Sequence, residues 1–553
     1  MDYFTCNLKK ILALVLAFAC AFTMFAGAAF TDSADFKVKT EVVDTLVQLG
    51  VINGYTDGSF KPNDTVTRAE MAKMIYVLRT GNSDASAYNN DKTTFTDIKG
   101  HWAAGYIKYC QSLGIIAGQS ATKFAPDQTV TAQEAAKMLL VTLGYNADKA
   151  GLVGINWASK TNALADENGL LEDVNTSFTA ACPRQYAAQL IYNAIDTPTV
   201  VWRDDAYTNV NVLGKDNQTV GEKYMNLVKD EAEVGEHDNI LTKVEKEDGR
   251  DTYTITVGGT VYTRIVADYS DLMGQDVVVM HKKNDTSKVF GVYAAEDSKV
   301  LATGIIGDME KVSDAKKVKL NDTEYKLDAG SRTAAKIYNF NADTAVATVD
   351  TYTSSKSNSL SAKVAANTIK LIDNDGNGKA DRIVMVPRTV GKVTYVGSSN
   401  FSVQNVGTVK FKDCESVYDG IKKDDYAIYT DGDFTASGDH NVAKADLVTA
   451  EVKGTKGSTG AYQVRVNDKW YYLADGIAQL ESGSSYDLIV VGGVIFNADE
   501  TEASSKDIVA LVDVDTSLNT SFSKSSSTQD VNCLLYTSPS PRDNDVSRMP
   551  SSA

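Results

Sequence analysis

The residues whose spacing best suits metal chemistry lie in a short run near the middle of the chain. Side chains with oxygen donors take positions 1, 3, 5 and 9 of this run: Asp373, Asp375, Asn377 and Asp381. This spacing, with Gly378 at position 6, is typical of calcium loops, because Ca²⁺ prefers carboxylate and amide oxygens. Position 12 is Val384 rather than an acid, and the flanking residues have the pattern of strands. The run is therefore either a calcium loop without EF-hand helices or a plain β-turn rich in Asn, Asp and Gly.

No group of residues in the sequence has the spacing of a catalytic centre. The four histidines are scattered along the chain: His101, His237, His281 and His440. The motifs GxSxG, HExxH and the phosphate-binding P-loop are absent from the sequence. Pairs of acids are plentiful, but abundance alone does not indicate a glycoside hydrolase. We therefore expect a protein that is not an enzyme and that requires no cofactor, with Ca²⁺ as the one candidate ion.

Composition and charge exclude further classes of protein. The formal net charge is -17, which argues against a nucleic-acid partner, because such proteins need a basic face. Leaving aside three cysteines near the chain ends, the chain has Cys110, Cys182 and Cys414. Their odd number and wide spacing argue against a disulfide framework and against a zinc site. An acidic chain poor in cysteine suits a solvated surface outside the cell.

An internal repeat determines the architecture of the first third of the chain. The segment LGVINGYTDGSFKPNDTVTRAEMAKMI begins at Leu49, and LGIIAGQSATKFAPDQTVTAQEAAKML begins at Leu113 and aligns with it without a gap. A weaker third copy has its turn from Glu167 and its helix from Pro183. Such repeats at a fixed period indicate units that stack on one another. We place the three repeats at residues 35–80, 93–145 and 150–197.

Each repeat has the pattern of two helices joined by a turn. In the first copy, Gly50 ends one helix, and Thr67 begins the next as an N-cap with Glu70 completing a capping box. That second helix carries an apolar stripe at helical spacing: Met71, Met74, Ile75 and Leu78. One such hairpin cannot bury its apolar face alone, so we expect the three repeats to share a core.

These residues resemble the S-layer homology family. The signature of that family is an FxDxxxHW start, a G(I/V)xxGYxDGxFxP middle and a TRAE helix start. Here the first copy reads GVINGYTDGSFKP and TVTRAE, and the second copy supplies the start as FTDIKGHW. The resemblance implies an all-α pseudo-threefold bundle. It also implies non-covalent binding of pyruvylated secondary cell-wall polysaccharide in grooves between the repeats.

The resemblance also implies which side chains bind the polysaccharide. We carry this role to five residues: Arg68, Trp102, Asp57, Arg184 and Glu70. Trp102 is equally a candidate for core packing, and Glu70 is equally a capping residue. The second copy has Ala132 where the first has its arginine, the first lacks a clear FxDxxxHW start, and the third shows only Trp157 of it. We therefore expect one or two working grooves that use Arg68 and Arg184.

The rest of the chain has the alternating pattern of strands. We expect all-β modules, Ig-like or barrel-like, at residues 200–299, 300–387 and 388–515. A hairpin recurs in them, as QDVVVM with KVFGVY, as SYDLIVV with VIFNADE, and as DYAIYTDGD with ADLVTAEV. The recurrence indicates related modules, through which the chain would extend outward or assemble laterally.

The two ends of the sequence have a different character. Residues 1–29 have the charged, apolar and small-residue regions of an export signal, with a membrane anchor as the alternative. We expect cleavage, and no membrane span afterwards. Residues 533–553 resemble a translated sequencing adapter, or else they form a natural tail. We therefore expect a secreted S-layer-like protein of the cell wall that is not an enzyme. The alternative is a wall-anchored enzyme or adhesin whose active domain is missing or unrecognised.

Overall fold

The computed structural model has a helical N-terminal part followed by many β-strands, as the sequence predicts. It describes residues 30–211, 217–233, 235–354, 364–434, 440–458 and 462–501, and the backbone of two strands at 508–514 and 531–536. The expected export signal at residues 1–29 and most of the expected tail at 533–553 lie outside these ranges. Within them, no helix is both long enough and apolar enough to cross a membrane.

The helical part consists of three hairpins. Their helices are α1 Thr40–Gln48, α2 Arg68–Thr80, α3 Ala104–Ser112, α4 Ala132–Leu143, α5 Trp157–Glu167 and α6 Arg184–Asp196. The helices α2 and α4 begin with complete capping boxes at Thr67 and Thr131, as expected for the first copy. The helix α6 follows Pro183, which caps it with no side-chain hydrogen bond. All three hairpins contribute to one core, in which Cys110 and Cys182 are buried.

A ring of backbone hydrogen bonds joins the three repeats at their centre. Val66 N donates to Cys182 O at 3.0 Å, Cys182 N donates to Val130 O at 2.8 Å, and Val130 N donates to Val66 O at 2.9 Å. These three residues precede α2, α4 and α6, and all are fully buried. Because each repeat donates to one neighbour and accepts from the other, the bundle has the expected pseudo-threefold arrangement.

The first repeat begins earlier than expected. Asp32 accepts hydrogen bonds from the backbone N–H groups of Phe60 and Lys61 at 2.8 and 2.7 Å, and Asp97 makes the same pair of bonds in the second repeat. The first copy therefore has the FxD part of the family start, at Phe30 to Asp32. The expected boundary at residue 35 leaves out these residues.

Among the described residues, the β part up to residue 501 forms four units. After a hairpin of β1 Val200–Arg203 and β2 Ala206–Asn209, the first unit has β3 Leu227–Asp230, β4 Leu241–Lys246, β5 Tyr253–Val257, β6 Thr260–Ile265, β7 Val277–Lys282 and β8 Asp285–Ala294. The second has β9 Lys299–Ile305, β10 Glu310–Lys311, β11 Lys317–Leu320, β12 Thr323–Lys326, β13 Lys336–Asn339, β14 Ala345–Thr348, a short helix α7 Val349–Ser354, β15 Thr368–Asp373 and β16 Arg382–Val386.

The expected module 388–515 contains two units with separate cores. The third unit has β17 Arg388–Val396, β18 Asn400–Val403, β19 Gly407–Lys410, β20 Cys414–Val417, β21 Tyr426–Asp431 and β22 His440–Lys444. The fourth has β23 Leu447–Glu451, β24 Gly454–Lys456, β25 Gln463–Val466, β26 Lys469–Leu473, β27 Ser485–Val491 and β28 Val494–Glu500. Beyond them, β29 Ile508–Val514 pairs antiparallel with β30 Val531–Tyr536.

Three of the units share a strand arrangement. In each, the first strand (β9, β17 or β23) pairs antiparallel with the first strand of a hairpin (β15–β16, β21–β22 or β27–β28). The second hairpin strand then pairs parallel with an earlier strand (β13, β20 or β26). The first unit has the antiparallel part of this arrangement in β3, β7 and β8. The prediction of related modules therefore agrees with the strand order.

Two of the three hairpins expected from the recurrence form as expected, namely β7–β8 and β27–β28. The third expectation is wrong. The segment ADLVTAEV contains β23, which belongs to the fourth unit and pairs with β27 of that unit rather than with β21 of the third unit. The strand β21 pairs with β22 instead. The similarity among the strand sequences does not indicate which strand each one pairs with.

Candidate functional site

A groove lies on the first repeat, where side chains from all three repeats meet. It is a cleft of about 200 Å³. Its polar and aromatic lining consists of Asn53, Tyr55, Glu70, Lys73, Trp102 and Arg184. We call it the first groove. It brings together three of the five expected binding residues, Trp102, Arg184 and Glu70.

Arg184 enters the first groove from the third repeat. Its Nε donates to Phe60 O and its Nη2 donates to Asn53 O, both at 3.0 Å. The guanidinium also lies over the rings of Tyr55 and Phe60, at 5.0 and 4.9 Å from their centroids. Arg184 is only 7% exposed. Arg184 therefore links the third repeat to the turn of the first. Its Nη1 takes no part in these two bonds.

Trp102 forms the exposed wall of the first groove. It is 56% exposed, and its ring packs edge-on against Tyr106. The alternative that Trp102 is a core residue is therefore excluded. Its neighbour His101 accepts from Ala103 N at 3.1 Å, which fixes the backbone just before α3. An exposed aromatic face of this kind is suited to stacking on a sugar ring.

Arg68 has the same surroundings on the second repeat. Its Nε donates to Phe124 O at 3.0 Å and its Nη2 donates to Ala117 O at 2.6 Å. Its Nη1 lies 3.8 Å from Glu134 Oε1. Burial lowers the pKa of the Arg68 guanidinium, while the nearby carboxylates of Glu134 and Asp97 oppose that shift.

Lys137 and Trp157 complete this second constellation. The Lys137 ammonium lies 5.3 Å from the centre of the Trp157 ring, a distance that allows a cation–π contact. Burial also lowers the pKa of Lys137, and the Glu134 carboxylate opposes this shift. We call the set Arg68, Glu134, Lys137 and Trp157 the second groove. It repeats the arginine, glutamate, lysine and tryptophan of the first groove.

The third repeat lacks this set of side chains. The position of the arginine is taken by Ala132, which is fully buried. The position of Lys73 is taken by Gln189, and that of Glu70 by Tyr186. A third groove would therefore lack the two cationic groups that the first two possess, in line with the expectation of one or two working grooves.

Glu70 and Asp57 hold local structure. Glu70 Oε2 accepts from Thr67 N at 2.8 Å, as a capping box requires, and the side chain also borders the first groove. Asp57 lies on an exposed turn, where its Oδ1 accepts from Ser59 N at 3.0 Å. The hydrogen bonds that Asp57 accepts from the Ser59 hydroxyl and from the Ser59 backbone N–H lower its pKa. Asp57 is not among the residues that line the first groove.

Sequence reasoning missed Lys73 and Tyr55 of the first groove. The signal for Lys73 was available, because Lys137 occupies the matching position of the second copy. Only the fold shows that Lys73 faces the incoming arginine of another repeat.

Three of the four expected metal ligands converge. One carboxylate oxygen from each of Asp373, Asp375 and Asp381 lies within 4.8 Å of the others. The fourth, Asn377, uses Oδ1 to accept from Lys379 N at 2.9 Å and donates from Nδ2 to Asp375 Oδ2 at 2.7 Å. The loop therefore presents a compact set of hard oxygen atoms.

Comparison with known proteins identifies the first two helical repeats. The family model described as "S-layer homology domain" matches residues 29–72 and 94–136. Its first match includes the FxD start at Phe30.

Similar proteins include some that are named as cell-surface or surface-layer proteins and one that is named as an exoglucanase. A "Cell surface protein" of Thermoanaerobacter kivui is 26% identical over 507 residues, which cover 88% of this chain and 60% of that protein. A "Surface layer protein" of Brevibacillus choshinensis is 31% identical over 169 residues, 30% of this chain and 15% of that protein. "Exoglucanase XynX" of Acetivibrio thermocellus is 28% identical over 182 residues, 30% of this chain and 16% of that protein. The chain therefore carries S-layer homology domains and is a protein of the extracellular cell-wall surface.

Proposed function

We propose that the first and second grooves bind an anionic secondary cell-wall polysaccharide, and that this binding anchors the chain to the wall. The observation that carries the proposal is the repeated set of arginine, lysine and tryptophan in two grooves. A structural link between repeats explains the arginines, but it does not require a tryptophan beside a lysine in each groove. The polysaccharide would be pyruvylated, since a ketal carboxylate offers the negative charge that these cations suit.

Each groove would recognise the polysaccharide through two kinds of contact, one with its negative charge and one with its sugar ring. The nitrogen Nη1 of Arg184, together with the Lys73 ammonium, would contact the carboxylate, while the face of Trp102 would contact the sugar ring. Exposed ion pairs contribute little individually, about 0–1 kcal/mol. Two grooves that bind one polymer at the same time would raise the overall affinity well above that of either. Two unequal grooves are therefore sufficient for an anchor.

We propose further that the protein is not an enzyme and that its β units extend from the wall, where they assemble laterally. The relatives named as cell-surface and surface-layer proteins support this role. The relative named an exoglucanase favours a second candidate, an enzyme that shares the anchoring region. The two differ in one measurement, the release of reducing sugar from wall polysaccharides by the full chain. Release above that of a heat-denatured sample would support the enzyme.

The anchoring proposal predicts the behaviour of groove variants in a cell-wall pull-down. Lys73→Gln and Lys137→Gln each remove one cation without disturbing a repeat-linking arginine. We expect each to weaken retention of the full chain severalfold, and the double variant to lose most of it. Trp102→Ala should act through the first groove alone. Lys92→Gln, an exposed lysine outside both grooves, provides the matched control.

The wall preparation supplies the second arm of this experiment. Retention should disappear on walls from which the secondary polymer has been extracted, and should fall on walls whose ketal pyruvate has been removed by mild acid. Equal retention on intact and extracted walls would contradict the anchoring proposal. Loss on extracted walls but not on acid-treated walls would contradict only the pyruvyl specificity.

A further inference from the structure

The loop between β15 and β16 lies at the junction of the first and second β units. Asn374, its first residue, is only 3% exposed. Asn374 Oδ1 accepts from Asp276 N at 2.8 Å and from Ser298 Oγ at 2.7 Å, and Nδ2 donates to Gly274 O at 3.2 Å. Through one side chain, the loop is therefore tied to the last hairpin of the first unit and to the segment that leaves it.

The strands on both sides of the loop belong to the same junction. Ile372 of β15 and Val384 of β16 lie in the apolar core of the first unit, together with Val277 and Val279. Gly274 has a φ of 85°, and a Cβ atom there would lie 2.4 Å from Val384 Cγ2. The two units therefore approach too closely at this point for any other residue. The position of the loop relative to the first unit is fixed by this packing.

The acidic side chains of the loop enclose a volume suited to Ca²⁺. Their oxygens lie within 4.8 Å of one another. Ligands at 2.3–2.6 Å from Ca²⁺ are separated by at most about 5 Å, so the three carboxylates fit one coordination sphere. Gly376 and Gly378 both have positive φ, which lets the backbone curl around the enclosed volume.

A buried oxygen without a partner points to an absent ligand. Asp373 is 2% exposed, and its Oδ2 accepts from Gly378 N at 2.7 Å, so the carboxylate faces into the loop. Its Oδ1 is buried and has no hydrogen-bond partner within the described part of the chain. A buried carboxylate oxygen left unpaired is destabilising unless a proton or a cation compensates it.

The neighbouring charges do not provide that compensation. Lys379 pairs with Asp328 at 2.8 Å, so its charge is already shared with an acid outside the set. Asp297 adds a further carboxylate close to Gly376. The loop thus concentrates negative charge where one divalent cation would relieve it.

We propose that this loop binds one Ca²⁺ through Asp373, Asp375 and Asp381, and that the ion fixes the junction of the first and second β units. Asn377 lies beside this set, since its Nδ2 donates to Asp375 Oδ2 at 2.7 Å. Ca²⁺ would act on the first unit through Asn374, because Asp381 accepts from both the backbone N–H and the side-chain amide of that residue, at 2.6 and 3.2 Å. The ion, the loop and the Asp276 backbone then form one connected network. The inference does not depend on the grooves.

Calcium titration of the full chain tests the site. We expect one saturable site with a Kd on the order of 0.1–1 mM, the range of extracellular modules. Asp375→Asn should weaken it at least about tenfold, because it removes a ligand charge and keeps an oxygen that can accept the bond from Asn377 N. Asp322→Asn makes the same charge change on an exposed residue of the same unit and should bind like the wild type. Mg²⁺ should compete poorly, since it requires near-ideal octahedral geometry.

Several outcomes of the titration would overturn the site. They are no saturable binding up to about 10 mM Ca²⁺, an Asp375→Asn variant that binds like the wild type, or an equal loss in Asp322→Asn. Circular dichroism of each variant first establishes that it is folded. If Asp375→Asn is not folded, Asp381→Asn takes its place in the same comparison.

Hydrogen exchange tests the effect on the junction. With Ca²⁺, the wild type should exchange more slowly both in the β15–β16 hairpin and at the Asp276 amide, whose acceptor is Asn374 Oδ1. Asp375→Asn should show neither change at the same Ca²⁺ concentration. Slower exchange in the hairpin without any change at Asp276 would confirm an ion site but refute its role at the junction.

Discussion

Arg68 and Arg184 each have two roles, because each links two repeats and also borders a groove. Arg68 and Arg184 each donate two hydrogen bonds to backbone carbonyls of the next repeat, and each borders a groove. Bonds from a charged donor stabilise by about 1.5–3 kcal/mol each. Replacing either arginine would therefore weaken the bundle as well as any ligand contact. For this reason the lysines of the grooves are the cleaner probes of binding.

A half-buried acid on α1, Asp44, gives a prediction at the residue scale. Asp44 borders a cleft with Tyr269 and Glu41, and its Oδ2 is buried without a hydrogen-bond partner among the described residues. Burial raises its pKa from 3.8 to about 7. The folded state therefore binds this proton more tightly than the unfolded state, and the stability should fall as the pH rises from about 4 to 7.

Asp44→Asn should remove this pH dependence. Three pKa units correspond to at most about 4 kcal/mol, so the variant should be more stable than the wild type at pH 8 and similar to it at pH 4. Urea unfolding of both proteins at these two pH values measures the difference. The exposed Asp35→Asn is the control and should follow the wild type. If the stability of the wild type relative to the variant increases as the pH rises, the raised pKa of Asp44 is refuted.

At the scale of the element, each second helix depends on its first turn. Thr131 Oγ1 accepts from Glu134 N at 3.2 Å, and Glu134 Oε2 accepts from Thr131 N at 2.8 Å. The same carboxylate group faces Arg68 through Oε1. The cap of α4 therefore also positions one side of the second groove.

Removing this cap should have a measurable cost. Thr131→Ala loses the hydroxyl acceptor, and we expect a loss of about 1 kcal/mol in the free energy of unfolding. Thr131→Ser keeps the hydroxyl and should retain most of that stability. Urea unfolding monitored by far-ultraviolet circular dichroism compares the three proteins. Equal losses in Ala and Ser would show that the methyl group matters rather than the cap.

At the scale of the whole molecule, the bundle and the first β unit share a core. Val220, Leu227 and Met280 lie in the same apolar cluster as the helices. The strand β8 approaches α1 so closely that a Cβ atom on Gly291 would lie 2.7 Å from Thr45 Oγ1. We therefore expect the wall-binding part and the first β unit to behave as one cooperative body.

Gly291→Leu should separate these two parts. The larger side chain cannot fit against Thr45, which is 1% exposed, so it should push β8 from α1. We expect the first thermal transition of the full chain to split into two in differential scanning calorimetry. Gly454→Leu, in the fourth unit, has no atom closer than 3.8 Å to the added Cβ and should leave that transition whole. An unsplit transition in Gly291→Leu would refute the coupling.

Much of the fold followed from local patterns. The capping boxes at Thr67 and Thr131 and the helices after them are where the sequence predicts them, because caps and apolar stripes are local signals. The break expected near Pro387 falls between β16, which ends at Val386, and β17, which begins at Arg388. The division of 388–515 into two units was not predicted, because the partner of a strand depends on pairing across long sequence separations.

The sequence by itself determined the three helical repeats, their inequality and the oxygen-rich loop, because Gly, Thr, Glu and Asp at fixed spacing act on their own neighbourhood. Only the tertiary structure decided which repeat receives each arginine. Arg184 borders the groove of the first repeat and Arg68 that of the second, because every repeat donates to one neighbour around the central ring. It also decided that the acidic loop lies between two β units, since that position depends on the packing of Val384 against Gly274.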